Sequence, residues 1–261
     1  MQTSKKYLAS LRSNIYNPPK ISIAGIKSFN LSFWTMCFLA FIERISVGAF
    51  LINSAEIYQQ KFNMGLQETG IIIGIPNIIT VALSPVVAVY FDRVGKRCYF
   101  LIVGFTFLLA SHLVFYSMQQ CPVTEQCFTS AWPMVLLGVG GTIITLTLYT
   151  SFSYVVAEKY YGTAFGILLT FSNAGVLIGC LMVGKVVDES SGLRVMFGTL
   201  HLTLLVTSTL GMILSVALCY YDEVHEGVLN AVMRLNDSNF TEVTSQEQDE
   251  ISEEEKDKVV E

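Results

Sequence analysis

Charge is scarce in this chain. Asp, Glu, Lys and Arg make up 14% of its 261 residues, against about a quarter in water-soluble domains. Several reactive signatures are also missing. There is no G-x-S-x-G, no H-E-x-x-H and no phosphate-binding loop, so enzyme chemistry has no support in the residues. Gly138-x-Gly140-Gly141 does not follow a strand, which argues against a nucleotide loop and for helix packing. No basic face suits nucleic acid, and no cluster has the ligand count of a metal site. The opening residues, Met-Gln-Thr-Ser-Lys-Lys, lead into a polar stretch with no apolar core of a cleavable signal. The first apolar segment is therefore expected to direct insertion itself.

What is present is apolar length. Six blocks span Leu31–Ile52, Gly70–Phe91, Cys98–Met118, Ala131–Ala157, Gly162–Val187 and Val195–Tyr221. A bilayer core of about 30 Å needs roughly 20 apolar residues in a helix. The last five blocks hold almost no charge and lack the polar stripe of a soluble core helix. The chain reads as an all-α integral membrane protein with six transmembrane helices over 31–221. A basic amphipathic lead-in and linker (1–30) precedes them and an acidic tail (222–261) follows.

The net charge of −5 hides opposite regions: from Asp222 onward there are 13 acids and 3 bases, and before it 8 acids and 13 bases. The tail reads as a short amphipathic helix, carrying Val224, Val228, Leu229, Val232, Met233 and Leu235, then as solvated chain. Placing both ends in the cytosol puts nine Lys and Arg of the lead-in and loops on that side, from Lys5 to Lys159. The opposite side receives only Lys61, Lys185 and Arg194. The positive-inside bias favours that orientation. It also places Cys121-Pro-Val-Thr-Glu-Gln-Cys127 on the exoplasmic side, where a Cys121–Cys127 disulfide is expected. Two free thiols in a reducing setting is the other reading.

An internal repeat follows. A shift of 96 residues lays the second block on the fifth: Gly70-Ile71 on Gly166-Ile167, Asn77 on Asn173, Asp92 on Asp188. Each unit holds three helices, an odd number, so the two copies lie upside down relative to each other. Inverted three-plus-three repeats are a construction of secondary transporters.

The loop Ala88-Val-Tyr-Phe-Asp92-Arg93-Val94-Gly95-Lys96-Arg97 resembles the major facilitator signature G-x-x-x-D-R-x-G-R-[RK], with Ala for the first Gly and Lys for one Arg. The resemblance implies a gating role for Asp92, Arg93, Gly95, Lys96 and Arg97. It runs from about Phe29 to Gly192. Leu-Ser-Pro-Val before the signature, Ser111-His112, Glu158…Gly162-Thr-Ala-Phe-Gly166, Asn173-Ala-Gly175-Val and Gly184-Lys-Val-Val-Asp188 extend it. These are similar to the C-terminal six helices of the branch called major facilitator superfamily domain-containing protein 1. By that resemblance the fold is half of a major facilitator fold, working by alternating access. The substrate class is dipeptides or a similar small organic solute, and the membrane is lysosomal or vacuolar. No cofactor is implied. The implied partners are the lipid bilayer, a six-helix N-terminal half in the same longer chain or a separate subunit, and a glycosylated lumenal accessory protein. The alternative is a non-transporting scaffold subunit derived from a half-carrier.

Glu43 and Arg44 are the only formal charges near the middle of a block, and each costs roughly 2.5–3.5 kcal/mol at a helix centre. Adjacent helix positions point about 100° apart, so the two are expected to seek separate partners. A dipeptide offers both: its carboxylate to Arg44, its ammonium to Glu43. A structural salt bridge is the rival reading. Asn77 and Asn173 either line a cavity or bond between helices. Tyr149, Ser153 and Tyr154 are further cavity candidates. The small faces Gly162-x-x-x-Gly166 and Gly175-x-x-x-Gly179 are expected to pack helices closely. His112 and His201 are either proton carriers or packed, hydrogen-bonded residues.

Overall fold

The computed structural model describes residues 29–119, 122, 128–189 and 193–230. The basic lead-in, the Cys121–Cys127 loop and the tail beyond residue 230 lie outside the described residues. Within them, six helices are long and apolar enough to cross a membrane. The first span is the helix Leu31–Glu43, a π-helical turn Arg44–Gly48 and the helix Ala49–Lys61. The second is Leu66–Val94, the third Arg97–Ser117 and the fourth Ala131–Val155. The fifth is Tyr161–Glu189 and the sixth Leu193–Tyr221.

The apolar blocks locate all six spans, but the first runs on to Lys61 rather than ending at Ile52. Its added turns are polar, and the helix itself satisfies them. Asn53 donates to the Ala49 carbonyl at 2.7 Å and Ser54 to that of Leu51 at 2.7 Å. Gln60 donates to Glu56 one turn back at 2.8 Å. The span begins where Asn30 caps it, its side chain accepting the Phe33 N–H at 3.0 Å.

The repeat is visible in the helices. The second and fifth spans are both 29 residues long. The same offset of 96 carries Arg97, which opens the third span, onto Leu193, which opens the sixth. Packing obeys the repeat too. The second span packs on the fourth as the fifth does on the first. The third packs on the fourth as the sixth does on the first, and the first meets the fourth and the third the sixth. Exchanging the two triplets leaves this pattern unchanged, as a pseudo-two-fold axis in the membrane plane requires. The result is a front row in the order second, fourth, first, fifth, with the third and sixth spans behind the two central helices.

Glycines set the closeness of the central contacts. A methyl group on Gly140 would sit 2.7 Å from the Gly104 carbonyl oxygen of the third span, and one on Gly138 would sit 2.8 Å from Pro76 of the second. On the fifth span a methyl at Gly179 would stand 2.6 Å from Ala49, and Gly175 abuts the Phe41 carbonyl. Gly162 and Gly166 correct the expectation made for them, because a methyl group on either would meet no other part of the structure within 4 Å. They lie on the exposed side of this end of the fifth span, whose other side packs through Tyr161 and Phe165 on Phe152 of the fourth.

After the sixth span the expected amphipathic helix does not form as one piece. A π-helical turn, Asp222–Glu226, ends at Gly227 with φ +66°. The Asp222 carboxylate then accepts the N–H groups of Val228 and Leu229, both at 3.1 Å, in place of the helix's own carbonyls. Leu229 enters the core at 1% exposure, and Asn230 accepts the N–H of Lys96 through its carbonyl and that of Cys98 through its side chain.

Candidate functional site

The π turn lies midway along the first span, at the two charges. Its extra residue is marked by the Ala49 N–H, which reaches back five residues to the Arg44 carbonyl. π turns inside α-helices collect at functional sites. Six residues from the other spans close on this turn. Gly175 and Gly179 of the fifth span press against its two ends. Thr145 of the fourth donates to Glu43 at 3.5 Å, and a methyl group on Gly141 would sit 3.9 Å from the same carboxylate oxygen. From behind, Ser46 is bonded to His112 Nε2 of the third span at 2.9 Å and to Ser208 of the sixth at 2.7 Å.

Glu43 and Arg44 pair with each other: Arg44 Nε lies 3.1 Å from Glu43 Oε2. This corrects the expectation of separate partners. The flexible stems of both residues curve across the 100° between them, and low dielectric rewards the contact. The two are unequal in access. Glu43 is 2% exposed, so its carboxylate is engaged within the body by Arg44 and Thr145 and is not presented to an ammonium. The Arg44 side chain is 30% exposed, and Tyr149 lies close enough to interact with it electrostatically. Ser46 faces the rear helices, so Arg44, two residues earlier, faces the front row. The product is one cation on that face with its counter-ion tucked beneath.

The other sequence candidates separate into groups. Asn77 and Asn173 are both exposed, on the two flanking helices of the front row and on equivalent positions of the repeat. Ser153 lies one turn beyond Tyr149 toward the end of the fourth span. Its hydroxyl bonds back to the Thr150 carbonyl at 3.0 Å, and its own carbonyl accepts the Tyr161 hydroxyl at 2.8 Å. Tyr154 leaves the substrate group altogether, since its hydroxyl accepts Arg97 Nη2 at 2.7 Å and its ring lies 4.0 Å beneath the same guanidinium. His201 stacks on Phe115 with ring planes 8° apart, and neither of its nitrogens has a partner among the described residues.

The loop after the second span follows its composition. Gly95 has φ +66° and Lys96 +52°, a left-handed pair that reverses the chain. Arg93 and Lys96 are exposed, while Arg97 is buried at 3%. Ser46, Ser208 and Thr145 were not singled out from the sequence. One signal was available: the offset of 96 maps His112 onto Ser208, and Ser46 bridges that pair.

Comparison with known proteins follows the same lines. The model of the Major Facilitator Superfamily matches residues 36–243. A chicken (Gallus gallus) protein named lysosomal dipeptide transporter MFSD1 is 27% identical over 169 residues, covering 64% of this chain and 36% of the relative. The zebrafish (Danio rerio) protein of the same name is 24% identical over 213 residues, covering 80% of this chain and 43% of the relative. The human one is 23% identical over 169 residues, 65% and 35%. The chain thus spans a little over a third of the length of the curated relatives it matches. Six apolar spans, the inverted repeat and the family match together place this chain in the Major Facilitator Superfamily of integral, multi-pass membrane transporters.

Proposed function

We propose that this chain forms one six-helix half of a carrier that moves small organic solutes, dipeptides first among them, across a lysosomal or vacuolar membrane by alternating access. The observation that carries the reading is Arg44. It is a guanidinium at membrane depth, fixed through Nε by Glu43, with Tyr149 close by, and Asn77 and Asn173 are exposed on the two flanking helices of the same row. A planar guanidinium grips a carboxylate bidentately, and a dipeptide ends in one. The amine is assigned to the complementary half, because Glu43 is engaged with Arg44. That half belongs to the same longer chain or to a second subunit. Both ends are assigned to the cytosol from the Lys and Arg bias, which puts the 92–97 loop there as a gate. The names of the relatives support the substrate and the compartment.

The test is uptake of labelled dipeptide by the complete transporter in proteoliposomes. Arg44→Ala raises KM about tenfold or more for peptides with a free C-terminal carboxylate, a loss of roughly 1.4 kcal/mol or more of binding. C-terminally amidated peptides show no such change. Equal effects on both would refute the assignment of Arg44 to the carboxylate. No uptake by the native complete assembly would favour a scaffold.

A further inference from the structure

A second cation sits apart from Arg44, at the C-terminal end of the first span. Lys61 is 5% exposed. Its ammonium donates to the Phe115 carbonyl at 2.9 Å, near the C-terminal end of the third span, and lies 5.3 Å from the Phe62 ring centre and 5.7 Å from that of Phe197. Among the described residues no carboxylate pairs with it. One carbonyl and two ring faces orient this charge without neutralising it. A lysine needed only to close the third span would have no reason to border open space. Lys61 instead lines a cavity of about 610 Å³ together with Tyr116, Ser117, Gln119, Phe197 and Gly198.

The cavity's place narrows its occupant. It is built where the first and third spans end and the sixth begins, so it lies at the bilayer boundary on the face opposite the 95–97 loop. Its polar rim, Ser117 and Gln119, is exposed. Its floor is open at Gly198, where nothing stands within 4 Å of a Cβ position. From that floor Leu202, Val206 and Leu210 descend the sixth span at four-residue steps, each more than half exposed, with Leu113 at 55% on the adjoining third span. A soluble anion would use the cation and leave the apolar stripe bare. A molecule with an anionic head and an apolar chain uses both.

We propose that this cavity binds the headgroup of an anionic phospholipid through Lys61, with one acyl chain along Leu202, Val206 and Leu210. Basic pockets between membrane helices hold such headgroups on the cytoplasmic side, and the same charge attraction acts for this cavity on the opposite face. The site is independent of the substrate reading, since no residue of the Arg44 group lines it.

The purified full chain is placed in mixed micelles of phosphatidylglycerol and phosphatidylcholine, and retained lipid is counted by native mass spectrometry. The native chain keeps one phosphatidylglycerol in preference to phosphatidylcholine by about fivefold, the worth of one lysine near a membrane surface. Lys61→Gln reduces the preference to parity. Gly198→Leu, placed where no neighbour is displaced, blocks the floor and does the same with Lys61 intact, and so decides the matter if Lys61→Gln misfolds. An unchanged preference in both variants overturns the proposal. Displacement of the lipid by millimolar inorganic phosphate, with no effect of Gly198→Leu, would overturn the lipid and leave a soluble-anion site.

Discussion

The first and fourth spans occupy equivalent places in the two triplets, yet they are built from opposite materials. At the offset of 96, Glu43 corresponds to Val139, Arg44 to Gly140 and Ser46 to Thr142. Where the first span carries two charges and a π turn, the fourth carries Gly138, Gly140 and Gly141, which contact the second, third and first spans in turn. The fourth span therefore closes tightly around its neighbours, and the first keeps a wide turn that holds an ion pair. Two copies of one fold have diverged: one carries the ion pair and the other the close packing around it. Even the equivalent hydroxyls differ. Ser46 ties the first span to both rear helices, whereas Thr142 bonds to Thr80 of the second span at 2.7 Å.

The contrast can be broken most severely at the glycines under the π turn. Gly179→Leu forces atoms into the backbone of Ile45 and the side chain of Ala49. It is expected to cost about 3 kcal/mol or more, read as loss of a monodisperse peak in thermal size-exclusion assays. Gly166→Leu, in open space on the same helix, stays within about 0.5 kcal/mol of the native chain. A large effect of Gly166→Leu would show that this side is also packed.

Next comes the ion pair. Glu43→Leu leaves the guanidinium without its counter-ion and costs about 2 kcal/mol, less than a fully buried pair would because Arg44 is partly exposed. Adding Arg44→Met restores stability to within about 1 kcal/mol of native while transport of free peptides stays lost. If the double variant is no more stable than the single one, the pair is not the source of the cost.

Ser46→Ala orphans His112 Nε2 and the Ser208 hydroxyl, at about 1–2 kcal/mol. Smallest is Thr142→Val, at about 0.6 kcal/mol, the average for a hydrogen bond between membrane helices. Thermal shifts of the two in the reverse order would remove the asymmetry argued between equivalent hydroxyls.

Much of the architecture was legible in the residues because lipid imposes a simple demand. Every backbone group must be satisfied within its own segment, so length and apolarity locate the spans. The Asn77 and Asn173 match likewise gave the repeat that the packing follows. The ion pair was misjudged, since the 100° rule for neighbouring positions ignores how far flexible stems reach. The small-residue faces were half right: Gly175 and Gly179 pack while Gly162 and Gly166 do not, and spacing is identical in both pairs. Tyr154 was drawn to the substrate group by its helix, but Arg97 claims it from another segment.

The sequence by itself determined a six-span membrane protein, its two-fold repeat and the loop chemistry at Gly95. Each of these follows from local rules of solvation and backbone freedom. Only the tertiary structure decided which of two adjacent charges is presented and which is hidden, that Ser46 joins three helices, and that Lys61 borders a cavity. Those outcomes depend on distances between segments far apart in the chain, and such distances are set when the helices pack.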